Sequence, residues 1–141
     1  MRAGLLLMDI AKLVTVSEAA KSGRRFAFGD AWLVIAASGN VNHQKALRRL
    51  YEPHGRAISH GGALEPGVAT AIDDEAMAEA VLVGWEGIDR DGAPLPYSKE
   101  NAIWILSNVA VIRQFVVKAS EDAMLFTRGV VDATTDALKK S

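Results

Sequence analysis

Apolar residues along this chain follow two different periods. Between residues 26 and 36 the spacing is short. Phe26 and Phe28 alternate with Ala27, and after Gly29-Asp30 comes Trp32-Leu33-Val34-Ile35-Ala36. Two short apolar segments joined by a Gly-Asp pair predict a β-hairpin, with Phe26, Phe28 and Trp32 on its buried face. A lone hairpin is marginal in water, so it must lie on helices or on a third strand. Leu13, Val14 and Val16 are expected to supply that strand, ahead of a frayed helix over the same residues.

Beyond Ser38-Gly39-Asn40 the period lengthens to that of helices. Leu47, Leu50 and Tyr51 share one face, with Lys45, Arg48 and Arg49 opposite, and Asn42 is read as the N-cap. Pro53 ends this helix. Residues 54–66 read as a glycine-rich connection holding a short helical piece near residues 56–59. The next helix is predicted from residues 67–70 to about residue 85. Ile72, Ala76, Met77, Ala80, Val81, Val83 and Trp85 form its buried stripe. Asp73, Asp74, Glu75 and Glu79 form its solvated face, three of them near the N-terminal half, where the helix dipole favours them.

Residues 81–98 read as the joint that organises the chain. The apolar segment closes on Trp85, breaks at Gly87, turns through Asp91 and Gly92, and runs extended across Pro94 and Pro96. It delivers Tyr97 and Ser98 to the next helix, with Ser98 as N-cap and Glu100 in the first turn. The expectation is a rigid corner anchored by a buried Trp85, with Tyr97 plugged beneath it. Ile103, Trp104, Leu106, Val109 and Ile112 continue the helical pattern. Ser107-Asn108 breaks it, with Asn108 capping a second piece whose stripe is Ile112, Phe115, Val116, Ala119, Ala123 and Phe126.

The pattern as a whole predicts an α+β domain, mainly α: a short N-terminal hairpin or small antiparallel sheet followed by a bundle of about four helices. Residues 10–126 form one domain. Residues 1–9 are expected to be a flexible extension, with Met8 a second candidate start, and residues 127–141 a mobile tail or a partner-docking helix.

Composition narrows the function classes. Of 141 residues, 50% are hydrophobic and 23% charged, enough for a real core. The formal net charge of −1 argues against a chain whose main task is gripping nucleic acid. Arg24, Arg25, Lys45, Arg48, Arg49 and Arg56 are the residues from which a local basic patch would be built. With no cysteine, disulfides, thiolate metal sites and a cysteine nucleophile are excluded. No run approaches the roughly 18 apolar residues of a membrane span.

Specific chemistry is sparse. His43, His54 and His60 form no HxxxH or HxH pair, so no metal site is expected. Asp89, Asp91 and Glu100 stand at positions 1, 3 and 12 of a calcium loop, but Ala93 cannot ligate and Pro94 stands where glycine is needed. Ser38 and Ser59 lie in no nucleophile elbow, and no phosphate-binding glycine loop is present. No enzyme, cofactor or metal is therefore expected.

Four pieces in this order carry a family resemblance: residues 30–36, DAWLVIA; 39–50, GNVNHQKALRRL; 78–87, AEAVLVGWEG; and 91–102, DGAPLPYSKENA. Together they resemble small tail assembly chaperones of long-tailed bacteriophages and prophages, over roughly residues 24–126. The last piece is the most specific. In the second, Val41 stands where relatives often carry proline.

The resemblance implies a non-enzymatic protein of the host bacterial cytoplasm. It would coat the long apolar tape measure protein, help recruit tail tube protein and be absent from the finished particle. Trp104, Phe115 and Phe126 are the candidate partner-binding residues, with burial in the core the competing reading. Trp85, Gly87, Asp91, Gly92, Pro94, Pro96, Tyr97 and Ser98 form the structural motif. A dimer or ring suits a chaperone with exposed apolar faces. A head–tail connector or other virion component, and a small nucleic-acid-binding regulator, are the alternatives.

Overall fold

The computed structural model describes residues 8–62 and 64–140. A 3-10 turn at Ile10–Leu13 leads into helix α1 (Ser17–Ser22). Strands β1 (Arg24–Phe28) and β2 (Ala31–Ile35) follow, then α2 (Val41–Tyr51), which runs through a 3-10 turn into α3 (Gly55–Ser59). Helix α4 (Pro66–Ala80) leads to β3 (Leu82–Glu86) and a two-residue hairpin of β4 (Asp89–Arg90) and β5 (Ala93–Pro94). Helices α5 (Lys99–Asn108) and α6 (Ala110–Glu121), a 3-10 turn at Ala123–Phe126 and α7 (Arg128–Lys140) complete the chain. The architecture is α+β, mainly α, as the pattern predicts.

The hairpin forms where expected, but its third strand does not come from residues 13–16. The sheet order is β1-β2-β3, all antiparallel, and residues 82–86 supply the third strand. The predicted helix thus stops at Ala80. Val81 leaves helical geometry (φ −121°, ψ −60°), and its carbonyl accepts the Ala36 amide at 2.8 Å, which captures the chain onto β2. Gly84 is costly in a helix but suits the strand: a Cβ there would crowd Val34 at 3.3 Å. Leu33 and Trp85 pair across the two strands. They join Met77, Leu82, Ile105 and Val116 in the core.

Residues 10–22 instead form the 3-10 turn, a single bridge from Thr15 to Thr127, and α1. The bridge ties this segment to the start of α7: Val16 N–H donates to the Phe126 carbonyl and Arg128 N–H to the Val14 carbonyl, both at 2.8 Å. Gly129 permits the close approach, since a Cβ there would meet Lys12 at 3.2 Å. Arg24 reinforces it by donating to the Leu125 carbonyl and to Thr134 Oγ1. Residues 1–7, most of the predicted extension, lie outside the described residues.

Two caps differ from expectation. Asn40, not Asn42, caps α2. Its Oδ1 accepts the Asn42 and His43 amides, while its Nδ2 donates to the Ala37 and Ala80 carbonyls. Asn108 does not cap α6; its side chain donates back to the Trp104 carbonyl, and α6 begins from Val109 without a side-chain cap. The break between α5 and α6 falls where predicted, and the two helices turn by 106°. The last turn of the predicted stripe is also different: α6 stops at Glu121, and Ala123 is exposed on the 3-10 turn beyond.

Candidate functional site

The joint at residues 81–98 is a corner built by hydrogen bonds. The buried Trp85 donates from Nε1 to the Leu95 carbonyl at 2.8 Å. Tyr97 stacks edge-on against Trp85, centroids 5.0 Å apart, and donates its hydroxyl to the Ala78 carbonyl at 3.2 Å. Tyr97 is 38% exposed, so it covers the corner from outside instead of plugging it from beneath. Burial of the phenol raises its pKa.

Between them, Asp91 and Gly92 both adopt positive φ (52° and 82°), the geometry of a two-residue hairpin turn. Pro94 lies on the exposed β5, where its missing N–H is tolerated. The Pro96 carbonyl accepts from Asn101 Nδ2 at 2.9 Å, and Ser98 Oγ accepts the Asn101 amide at 3.0 Å, capping α5 as predicted. Gly87 (φ 80°) turns the chain out of β3.

The three candidate partner-binding aromatics are not brought together. Trp104 is 38% exposed on α5, and the Arg90 guanidinium of the β4–β5 hairpin stacks 3.7 Å above its ring. Phe115 is half-buried against Phe28, at 5.1 Å. Phe126 is 1% exposed and edge-on to Phe26, which makes it a core residue of this chain and not a surface one.

Trp32 does not share the buried face of the hairpin with Phe26 and Phe28. Phe26 pairs with Leu33 and Ala27 with Trp32, so Trp32 points to the opposite face from Phe26 and Leu33. It is 40% exposed on the open side of the sheet, with Arg25 4.7 Å above its ring. Strand alternation against the paired Leu33 carried that signal.

Charged groups fall into local pairs. Asp74, expected on a solvated face, is 4% exposed and accepts from Arg113 and from Ser107 Oγ. Glu79 lies between Arg49 (2.6 Å) and Lys99 (2.9 Å), and the hydrogen bonds from these two cations hold its pKa at about 2. Of the six basic residues named from sequence, Arg24 is bound to Leu125 and Thr134, Arg25 pairs with Glu86 and Arg49 with Glu79. His43 Nδ1 accepts the Gly39 amide at 2.9 Å, and burial lowers its pKa. Among the described residues no group of three or more His, Asp or Glu is arranged to hold a metal ion.

Residues 38–140 match a family model described as YdaY prophage protein. The chain belongs to the YdaY prophage protein family. The match runs from the capping loop of α2 to the end of α7, so it takes in the corner, the β4–β5 hairpin and Trp104, and leaves β1 and β2 outside. This YdaY-family chain is accordingly a phage or prophage protein. No curated protein and no solved structure in the comparisons matches it.

Proposed function

We propose that this YdaY-family protein is a non-enzymatic tail assembly chaperone that binds the tape measure protein in the host cytoplasm and assists assembly of the tail tube. The observation that carries the reading is the corner itself. It holds Tyr97 more than one-third exposed on a hydrogen-bonded frame, and its Arg90 stacks on the equally exposed Trp104 of α5. Rigid aromatic anchors of this kind bind apolar helices at low entropic cost.

Two further facts support it. The family is a prophage family. The four sequence pieces that resemble tail assembly chaperones also fold onto one another. They map to β2, to the cap and body of α2, to the end of α4 with β3, and to the β4–β5 hairpin with the start of α5, and these elements pack as neighbours.

Co-expression with a tape measure fragment tests the reading. The expected result is a soluble complex with the full chain. Trp104→Ala, at a surface position, should weaken that complex while leaving the thermal midpoint within a few degrees. A fragment that stays insoluble with the full chain would count against the proposal. So would abundant copies in purified particles, which would make the protein a virion component instead.

A further inference from the structure

β1 is one of the two outer strands of the sheet, and it borders an apolar groove of about 320 Å³. Phe26, Phe115, Ala119 and Leu125 line this groove, with Lys118 and Asp122 on its rim. Phe26 is the one strand residue in that lining, so the groove lies between the outer strand β1 and the α6 segment that leads to Leu125. Natural sheets blunt such edges with proline, bulges, charged side chains or a covering element, and the two charges of β1, Arg24 and Arg25, are drawn to Leu125, Thr134 and Glu86. β1 has no proline, and the sheet's irregularity lies between Val34 and Ile35 on β2. Arg24 is engaged by its neighbours Leu125 and Thr134. Among the described residues no backbone hydrogen bond reaches the outward side of residues 25–28.

We propose that this edge and groove form a homodimer interface, with β1 of a second copy adding antiparallel to β1. Pairing centred on Phe26 joins the two sheets into one and brings the two grooves together. The rim charges select a second copy over an unrelated strand. Helix α6 runs opposite to β1: Phe115 meets Phe28 at one end, and the chain reaches Leu125 at the Arg24 end. Lys118 and Asp122 therefore follow one another along the rim. A two-fold axis at Phe26 reverses that order in the second copy, so Lys118 of each chain faces Asp122 of the other. The interface is self-complementary and closes, as an isologous contact must. This inference does not depend on the tape measure reading.

Sedimentation equilibrium of the full chain over a concentration series tests it. The expected result is a reversible dimer that weakens as salt is raised. K118E makes the rim wholly acidic and D122K makes it wholly basic. Each alone should raise the dissociation constant about tenfold or more, and an equimolar mixture of the two should restore association. Asp122 also accepts the Met124 amide. If D122K fails to fold, the exposed Lys118 still decides the matter through K118E. A wild-type chain that stays monomeric, a dimer indifferent to K118E, or a mixture of folded variants that stays monomeric would each overturn the proposal. A monomer that binds an extended apolar peptide at this edge would overturn it too, by assigning the groove to a different partner.

Discussion

The indole Nε1–H of Trp85 meets the Leu95 carbonyl across 2.8 Å and so fastens β3 to the segment leaving the β4–β5 hairpin. The pair combines burial with a directed bond, and the two parts can be separated. Trp85→Ala should cost about 3–5 kcal/mol, because a buried ring is lost as well as its bond. Trp85→Phe keeps most of the ring and leaves the carbonyl unpaired, for about 1–3 kcal/mol. Urea unfolding measures both, and equal losses from the two variants would show that the bond, not the ring, holds the corner.

Asn40 uses both ends of its amide, capping α2 with the oxygen and binding the Ala80 carbonyl at the end of α4 with the nitrogen. Asn40→Ala should lose about 1 kcal/mol for the cap and about 1–3 kcal/mol for the stranded carbonyl. Asn40→Asp should keep the cap yet remain destabilised, since it places an acceptor against the Ala37 and Ala80 carbonyls. Thermal melts of the two variants distinguish a cap from a clasp between helices.

Arg113 neutralises the buried Asp74 from 39 residues away. Arg113→Ala should therefore cost about 3–5 kcal/mol by leaving the carboxylate unpaired. The double variant Asp74→Leu/Arg113→Met should recover much of that loss. A double-mutant cycle in denaturant checks the coupling.

The pH response follows from Glu79. Its folded-state pKa is depressed, so its contribution to stability is complete above the ordinary value of 4.5 and is lost as pH falls towards about 2. The thermal midpoint should drop across that window, and Glu79→Gln should flatten the drop. Because Arg49 and Lys99 are partly exposed, added salt should shrink the effect. A midpoint in Glu79→Gln that tracks the wild type through the acid range would remove Glu79 from the account.

Local signals in the sequence were readable and distant ones were not. The Gly29-Asp30 hairpin, the Ser98 cap and the break near Asn108 all follow from turn and capping chemistry within a few residues. β3 was masked because Ala80, Val81 and Val83 continue a helical stripe by spacing. Only β2, some fifty residues earlier, decides that they leave the helix. Asp74 looks solvated for the same reason, as its partner is on another helix. The motif residues around Trp85 were legible as a corner. The separation of Trp104 from Phe126 was not, because exposure depends on what else arrives at each face.

The bridge between Thr15 and Thr127 also sets an order of events during synthesis. Residues 14–16 leave the ribosome more than a hundred residues before their partners at 126–128, and Arg24 waits as long for Leu125. Residues 10–16 therefore lack their partner at 126–128 while β1, β2 and the central helices assemble, and they join the fold only once α7 has emerged, whereas α1 already meets the Ala37 amide through its Ala20 carbonyl. Nascent chains stalled before residue 126 should thus carry residues 10–16 open to protease, and the released chain should protect them.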